Sequence, residues 1–118
     1  MIEFVVPGRP VPAVRMTQRG KWVRPEAQRY LEYKQFIGWV AKTYVREILT
    51  GEVRLHVEAY VDKGRPGDLD NIIKSIQDGL NGIAWKDDCQ VVEIHAKRHK
   101  GVPERVEVAI REIARGEP

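Results

Sequence analysis

Apolar side chains recur along this chain with two different periods, and the switches between them mark out the elements. The opening Ile2-Glu3-Phe4-Val5-Val6 is apolar and rich in branched residues, and Pro7-Gly8 stops it, which predicts a short strand. Residues 9–25, interrupted by Pro10, Pro12 and Gly20, read as an irregular or hairpin-like arm of mostly basic or small side chains. From Pro25, a residue suited to a first helical turn, to Leu49 the apolar positions Tyr30, Tyr33, Ile37, Val40, Tyr44 and Ile48 return every three or four residues. That spacing predicts an amphipathic helix closed by Thr50-Gly51.

Over 52–62 the period drops to two, with Val53, Leu55, Val57, Ala59 and Val61 on one side, which predicts a half-buried strand. After the loop Lys63-Gly64-Arg65-Pro66-Gly67, Asp68 stands at the N-cap of a second helix carrying Leu69, Ile72, Ile73, Ile76, Leu80 and Ile83, with Asn81-Gly82 as its stop. The connector 84–88 leads to a strand over 90–99, and a turn around Lys100-Gly101-Val102-Pro103 leads to a last strand over 105–111. Residues 1–118 therefore read as a single α+β domain, with a mixed or antiparallel sheet packed against two main helices.

Composition narrows the setting. With 42% apolar and 31% charged residues and no apolar run near the ~20 needed to cross a bilayer, a soluble globular domain is expected. The N-terminus lacks a basic stretch followed by an apolar one, so no export signal is expected, and Cys89 as the sole cysteine fits a reducing cytoplasm. The net charge of +3 is small but uneven: residues 1–34 carry seven Lys/Arg against three Glu, whereas all six aspartates of the protein lie within 62–88. Hard oxygen ligands gathered in an otherwise basic chain suit a divalent cation and a phosphate-bearing substrate.

The chemistry should sit in that acidic window. In mid-helix Asp68 and Asp70 would be about 200° apart, but at a helix start they can converge beside free backbone N–H groups, with Lys74 one turn farther on. Taken singly, Asp68 could be a plain cap, Asp70 and Lys74 a surface ion pair, and Asp87-Asp88 a turn. Together they are the set that Mg²⁺-dependent phosphodiester hydrolysis requires, carboxylates for an octahedral ion and a lysine for the phosphate or leaving oxygen. Arg9, Arg15, Arg19, Lys21 and Arg24 in the arm, with Lys97, Arg98 and Lys100 near the last turn, are candidate DNA phosphate contacts, a solvated surface being the plainer reading. Trp22, Trp39 and Trp85 are expected to pack in the core or an interface. His56, His95 and His99 have no shared metal-ligand spacing and receive no catalytic role.

The run Asp68-Leu69-Asp70-Asn71 followed by Lys74, then Asp78-Gly79-Leu80, Asn81-Gly82 and Trp85-Lys86-Asp87-Asp88-Cys89-Gln90-Val91-Val92, resembles the signature of the RusA family of Holliday junction resolvases of bacteria and their prophages. Gly8-Arg9-Pro10-Val11-Pro12 with Arg15 is similar to the family's N-terminal pattern, so the likeness spans nearly the full length. The resemblance implies a homodimeric crossover junction endodeoxyribonuclease of recombination and repair, using Mg²⁺, or Mn²⁺ in its place, to make paired symmetric nicks in four-way junction DNA. It carries the essential metal-binding aspartates over to Asp68, Asp70 and Asp88 and the catalytic lysine to Lys74. Where some members of the family have an arginine-rich run before the first aspartate, this chain has Gly67, with Lys63 and Arg65 nearby. A rival from another class is an accessory protein of the same fold that binds branched DNA without cutting it.

Overall fold

The computed structural model describes residues 1–15 and 24–114. Its elements follow in the order β1 (Ile2–Pro7), α1 (Pro25–Tyr44), β2 (Val53–Val61), α2 (Leu69–Leu80), a short 3₁₀ turn (Asp88–Gln90), β3 (Val91–Lys100) and β4 (Arg105–Glu112). The four strands form one mixed sheet in the order β1-β4-β2-β3: β4 pairs antiparallel with β1 and β2, and β3 runs parallel to β2. The parallel pair follows from the chain path, because α2 carries the chain back along the sheet before β3 begins.

Alternation in β2 is complete: Val53, Leu55, Val57, Ala59 and Val61 are all buried. Register puts them in line with Val106, Val108 and Ile110 of β4, which in turn face Val6, Phe4 and Ile2 of β1. Both helices cover this side. From α2 come Ile72, Ile76 and Leu80, each fully buried and each stabilising the fold by about 1.5–3 kcal/mol through removal from water. From α1 come Ala27, Tyr30, Tyr33, Ile37 and Ala41. The helices meet closely at glycine: a Cβ on Gly79 would lie 2.7 Å from Ile37 Cβ and Cγ2 and 3.0 Å from the Lys34 carbonyl oxygen. Among the described residues the opposite face of the sheet carries no helix, and there Arg54, His56, Glu58 and Tyr60 stand beside Glu93, His95, Lys97 and His99.

Three expectations shift in detail. The first helix ends at Tyr44 rather than near Leu49, because Leu49 donates its N–H to the Ala84 carbonyl at 2.8 Å and bridges to Trp85 instead. Its buried stripe consequently runs through Ala27, Gly38 and Ala41, while Tyr44 and Ile48 are exposed. In α2, Ile73 is only half-buried, and Ser75 and Gly79 take the buried positions beside Ile72 and Ile76. The strand expected over 90–99 begins one residue later, because 88–90 forms the 3₁₀ turn.

Candidate functional site

Asp68 occupies the N-cap of α2 with extended dihedrals, φ −63° and ψ 136°, as the sequence predicts. Its side chain nevertheless makes no capping hydrogen bond, so the carboxylate is spared for another partner. Asp70 lies in the first turn, where the helix dipole favours negative charge, and its Oδ1 accepts from the Asn71 backbone N–H at 3.0 Å. Lys74 is exposed one turn on, and neither its ammonium nor the Asp68 carboxylate pairs with a described side chain. This helix start thus presents two carboxylates and a cation to solvent.

Its surroundings are heavily tied. The arm runs along it: the Ala13 N–H donates to the Asn71 carbonyl at 2.9 Å, and Ser75 Oγ donates to the Val11 carbonyl at 2.6 Å. Arg98 on β3 donates through Nη1 to the Gly67 carbonyl at 2.9 Å. Gly67 itself sits against Pro12, whose Cγ and Cβ lie 2.7 and 2.9 Å from where a Cβ would be, so no larger residue fits there without moving the arm.

The segment 85–92 divides into structural and chemically available residues. Asp87 caps the 3₁₀ turn, its Oδ1 accepting from the Cys89 N–H at 2.9 Å, and that backbone bond holds its carboxyl below the usual carboxylate range. Gln90 closes the turn from the other side: Oε1 accepts from the Lys86 and Asp87 N–H groups at 2.9 and 3.0 Å, and Nε2 donates to the Leu49 and Gly51 carbonyls. Asp88 is half-exposed, and its Oδ1 accepts from the indole N–H of the fully buried Trp85 at 2.9 Å. One carboxylate oxygen is thereby oriented by the core. Near it, Tyr30 donates a short hydrogen bond to Asp78, and burial first, then Asp78 and Asp88, push the phenol well above its ordinary range.

The two acidic groups do not meet within one chain. Trp85 bridges Asn81 at the C-terminal end of α2, which places Asp88 there, whereas Asp68 and Asp70 begin the same helix. Twelve helical residues span about 18 Å. Accordingly, among the described residues no group of three or more His, Cys, Asp or Glu side chains could hold a metal ion.

The basic candidates divide as well. Arg9 and Arg98 are engaged internally, Arg9 with Glu104 at 2.8 Å and with the carbonyls of Lys63 and Arg65. Arg15 and Arg24 are exposed, Lys97 lies on the open sheet face, and Lys100 is exposed at the end of β3. Arg19 and Lys21, with Trp22, lie outside the described residues. On the open face the histidines pair with glutamates: Glu58 joins His56 and His99, and Glu93 joins Arg54 and His95. Trp85 is core, but Trp39 is 63% exposed. Sequence spacing did not reveal the holding of Asp88 by Trp85 or of the loop after β2 by Arg9 and Glu104. The Trp85 contact lies only three residues away in sequence but depends on the bend that Gln90 stitches; Arg9 and Glu104 are 95 residues apart, and no periodicity reports such a pair.

A family model described as endodeoxyribonuclease RusA matches residues 7–111. A curated relative, the uncharacterized protein YqaN of Bacillus subtilis (strain 168), is 32% identical in an alignment of 138 residues covering 96% of this chain and 97% of the relative. Among the described residues, no helix is long and apolar enough to cross a membrane.

Proposed function

The chain belongs to the RusA endodeoxyribonuclease family, and from that premise we propose that it resolves Holliday junctions by paired symmetric nicks, as a Mg²⁺-dependent homodimer. The observation that carries this reading is the family match over 7–111 together with the state of its four key side chains: Asp68, Asp70 and Lys74 stand open at one helix start, and Asp88 is oriented by a core indole. A purely structural cap would spend the Asp68 carboxylate on the helix; here it is left unspent.

Carboxylate oxygens are the donors Mg²⁺ prefers, and when bound the ion would activate water and neutralise charge on the scissile phosphate. Asp68, Asp70 and Asp88 are the residues proposed to hold it, but a single chain, which keeps them a helix length apart, does not fit one ion shared by all three. A second copy that sets its own α2 end against this α2 start would remove that obstacle. It would also supply the two active sites that two cuts on a twofold junction need. Exposed apolar side chains available for such contact include Phe36 and Trp39 on α1 and Val92 and Ile94 on the edge strand β3. Lys74 is proposed to stabilise charge developing on the phosphate, while exposed cations such as Arg15 and Lys100 hold the duplex arms.

The test is incubation with a synthetic four-way junction and with linear duplex, each with and without Mg²⁺, alongside sedimentation at micromolar protein. Symmetric nicks in the junction alone, only with the ion, and about twice the chain mass are the expected results. Asp70→Asn should abolish nicking while leaving junction binding intact or tighter, and wild type mixed with it should nick one strand but rarely resolve. Junction binding by the wild type without any cleavage would instead make the protein a non-cutting accessory factor.

A further inference from the structure

We infer that Arg9, with its partner Glu104, is a positioning residue that fixes the loop delivering Asp68 and Asp70, and not a contact to DNA phosphate. The inference rests on the nuclease reading above for its catalytic consequence, but its structural part stands alone.

The loop after β2 must turn the chain from the sheet into α2 within residues 62–68, and its composition gives it little packing of its own, since Lys63, Gly64 and Arg65 are exposed. One planar cation holds its centre. Arg9 Nη1 donates to the Lys63 carbonyl and to Glu104 Oε2 at 2.8 Å, and Nη2 donates to the Arg65 carbonyl at 2.7 Å. Between those two carbonyls Gly64 has φ +74°, a left-handed backbone that glycine adopts without strain, so the chain can curl around the guanidinium. Glu104 completes the clamp by also accepting from the Asp62 N–H at 2.9 Å, while its own carbonyl accepts from the Gly8 N–H at 3.0 Å. These contacts hold the Glu104 carboxyl below the usual carboxylate range, the Asp62 bond being the largest cause.

Five fixed donors in a fork suit this task, because one guanidinium can serve two carbonyls and a carboxylate at once, whereas a lysine ammonium is a mobile point charge. Three of its five N–H donors are directed into the protein, which pins the guanidinium to this loop and keeps it from swinging out to a phosphate. Arg98 on the Gly67 carbonyl and Pro12 against Gly67 brace the same loop three residues before Asp70. The loop is therefore gripped along its length, and the two carboxylates inherit its position. Displacing a reacting group by about 1 Å can cost about 100-fold in rate.

The experiment uses the full chain with Arg9→Ala, Arg9→Lys and Glu104→Gln, and reads three quantities. Amide hydrogen exchange over 62–68 should speed up in both Arg9 variants, with the sheet amides unchanged and Tm still well above the assay temperature. Single-turnover junction cleavage should fall by about 10- to 100-fold in both, with lysine giving no rescue, and by less in Glu104→Gln, which keeps an acceptor for Asp62. Junction affinity should change less than twofold, and the slope of log affinity against log salt should stay as in wild type. Rescue of cleavage by Arg9→Lys, or a slope reduced by about 0.9 in Arg9→Ala, would overturn the proposal and make Arg9 a phosphate contact. Unchanged loop exchange in Arg9→Ala would overturn it too. If wild type itself cuts no junction while loop exchange still rises in the variants, the nuclease reading falls and the clamp stands.

Discussion

Removing a carboxylate from a nuclease site commonly relieves like-charge repulsion, yet the Asp88→Ala change should destabilise this protein. Asp88 Oδ1 is the acceptor for the Trp85 indole N–H at 2.9 Å, and Trp85 is 0% exposed, so truncating Asp88 strips a buried donor of its protein partner. Leaving a buried donor unsatisfied costs about 1–3 kcal/mol. For a domain of this size that is a fall in Tm of roughly 4 °C per kcal/mol. The cost belongs to the pair, and so it should vanish when the donor is also removed. Trp85→Phe by itself should cost about 1–3 kcal/mol in lost core packing; adding Asp88→Ala to it should cost within ~0.5 kcal/mol of nothing. Asp70→Ala gives the contrast: it loses a first-turn interaction with the helix dipole, about 0.3–1 kcal/mol, and an exposed hydrogen bond from the Asn71 N–H that water can replace, equally in either background. Urea denaturation followed by far-UV circular dichroism measures all of these without relying on tryptophan fluorescence. Equal losses from Asp88→Ala in the wild-type and Trp85→Phe backgrounds would refute the argument that the core indole orients this carboxylate.

Lys74→Ala should lower the cleavage rate far more than junction affinity, measured by single-turnover kinetics and by binding without divalent ion; equal losses would make Lys74 a binding residue. Gly79→Ala should gain about 1 kcal/mol in helix propensity but lose more to the collision with Ile37, for a net loss of about 1–2 kcal/mol in urea denaturation, and a stabilised variant would contradict the observed helix contact. Glu58, whose pKa is lowered by hydrogen bonds from His99 and then His56, should contribute stability that is complete above its ordinary value of 4.5 and is lost as pH falls through the lowered value. Glu58→Gln should therefore show a shallower loss of stability than wild type as pH falls below 4.5 in thermal melts, and parallel curves would count against the pairing.

Local chemistry made much of this protein legible from its sequence. The strict alternation of Val53 to Val61 could belong only to a strand with one buried face, and the placement of Asp68 before Leu69, Ile72 and Ile76 fixed where α2 begins. Both readings depend on neighbours within a few residues, the range over which backbone period and capping act. The acidic window and its lysine were visible for the same reason, as was the family likeness they carry. The end of α1 was not visible, because the periodicity of Tyr44 and Ile48 continues past the point where Leu49 is captured by Ala84, a partner 35 residues away. The division of labour between Asp87 and Asp88 was equally hidden: two adjacent carboxylates look alike until Gln90 bends the chain and the indole selects one of them. Arg9 carried the same charge as its neighbours in the arm, and only folding brought it to two carbonyls and a glutamate. The separation of Asp88 from Asp68 and Asp70 likewise came from the sheet and the length of α2, since adjacency in a motif says nothing about which end of a helix each carboxylate will occupy. Such contacts close long loops, and their energies depend on the geometry of the whole fold and not on the order of residues.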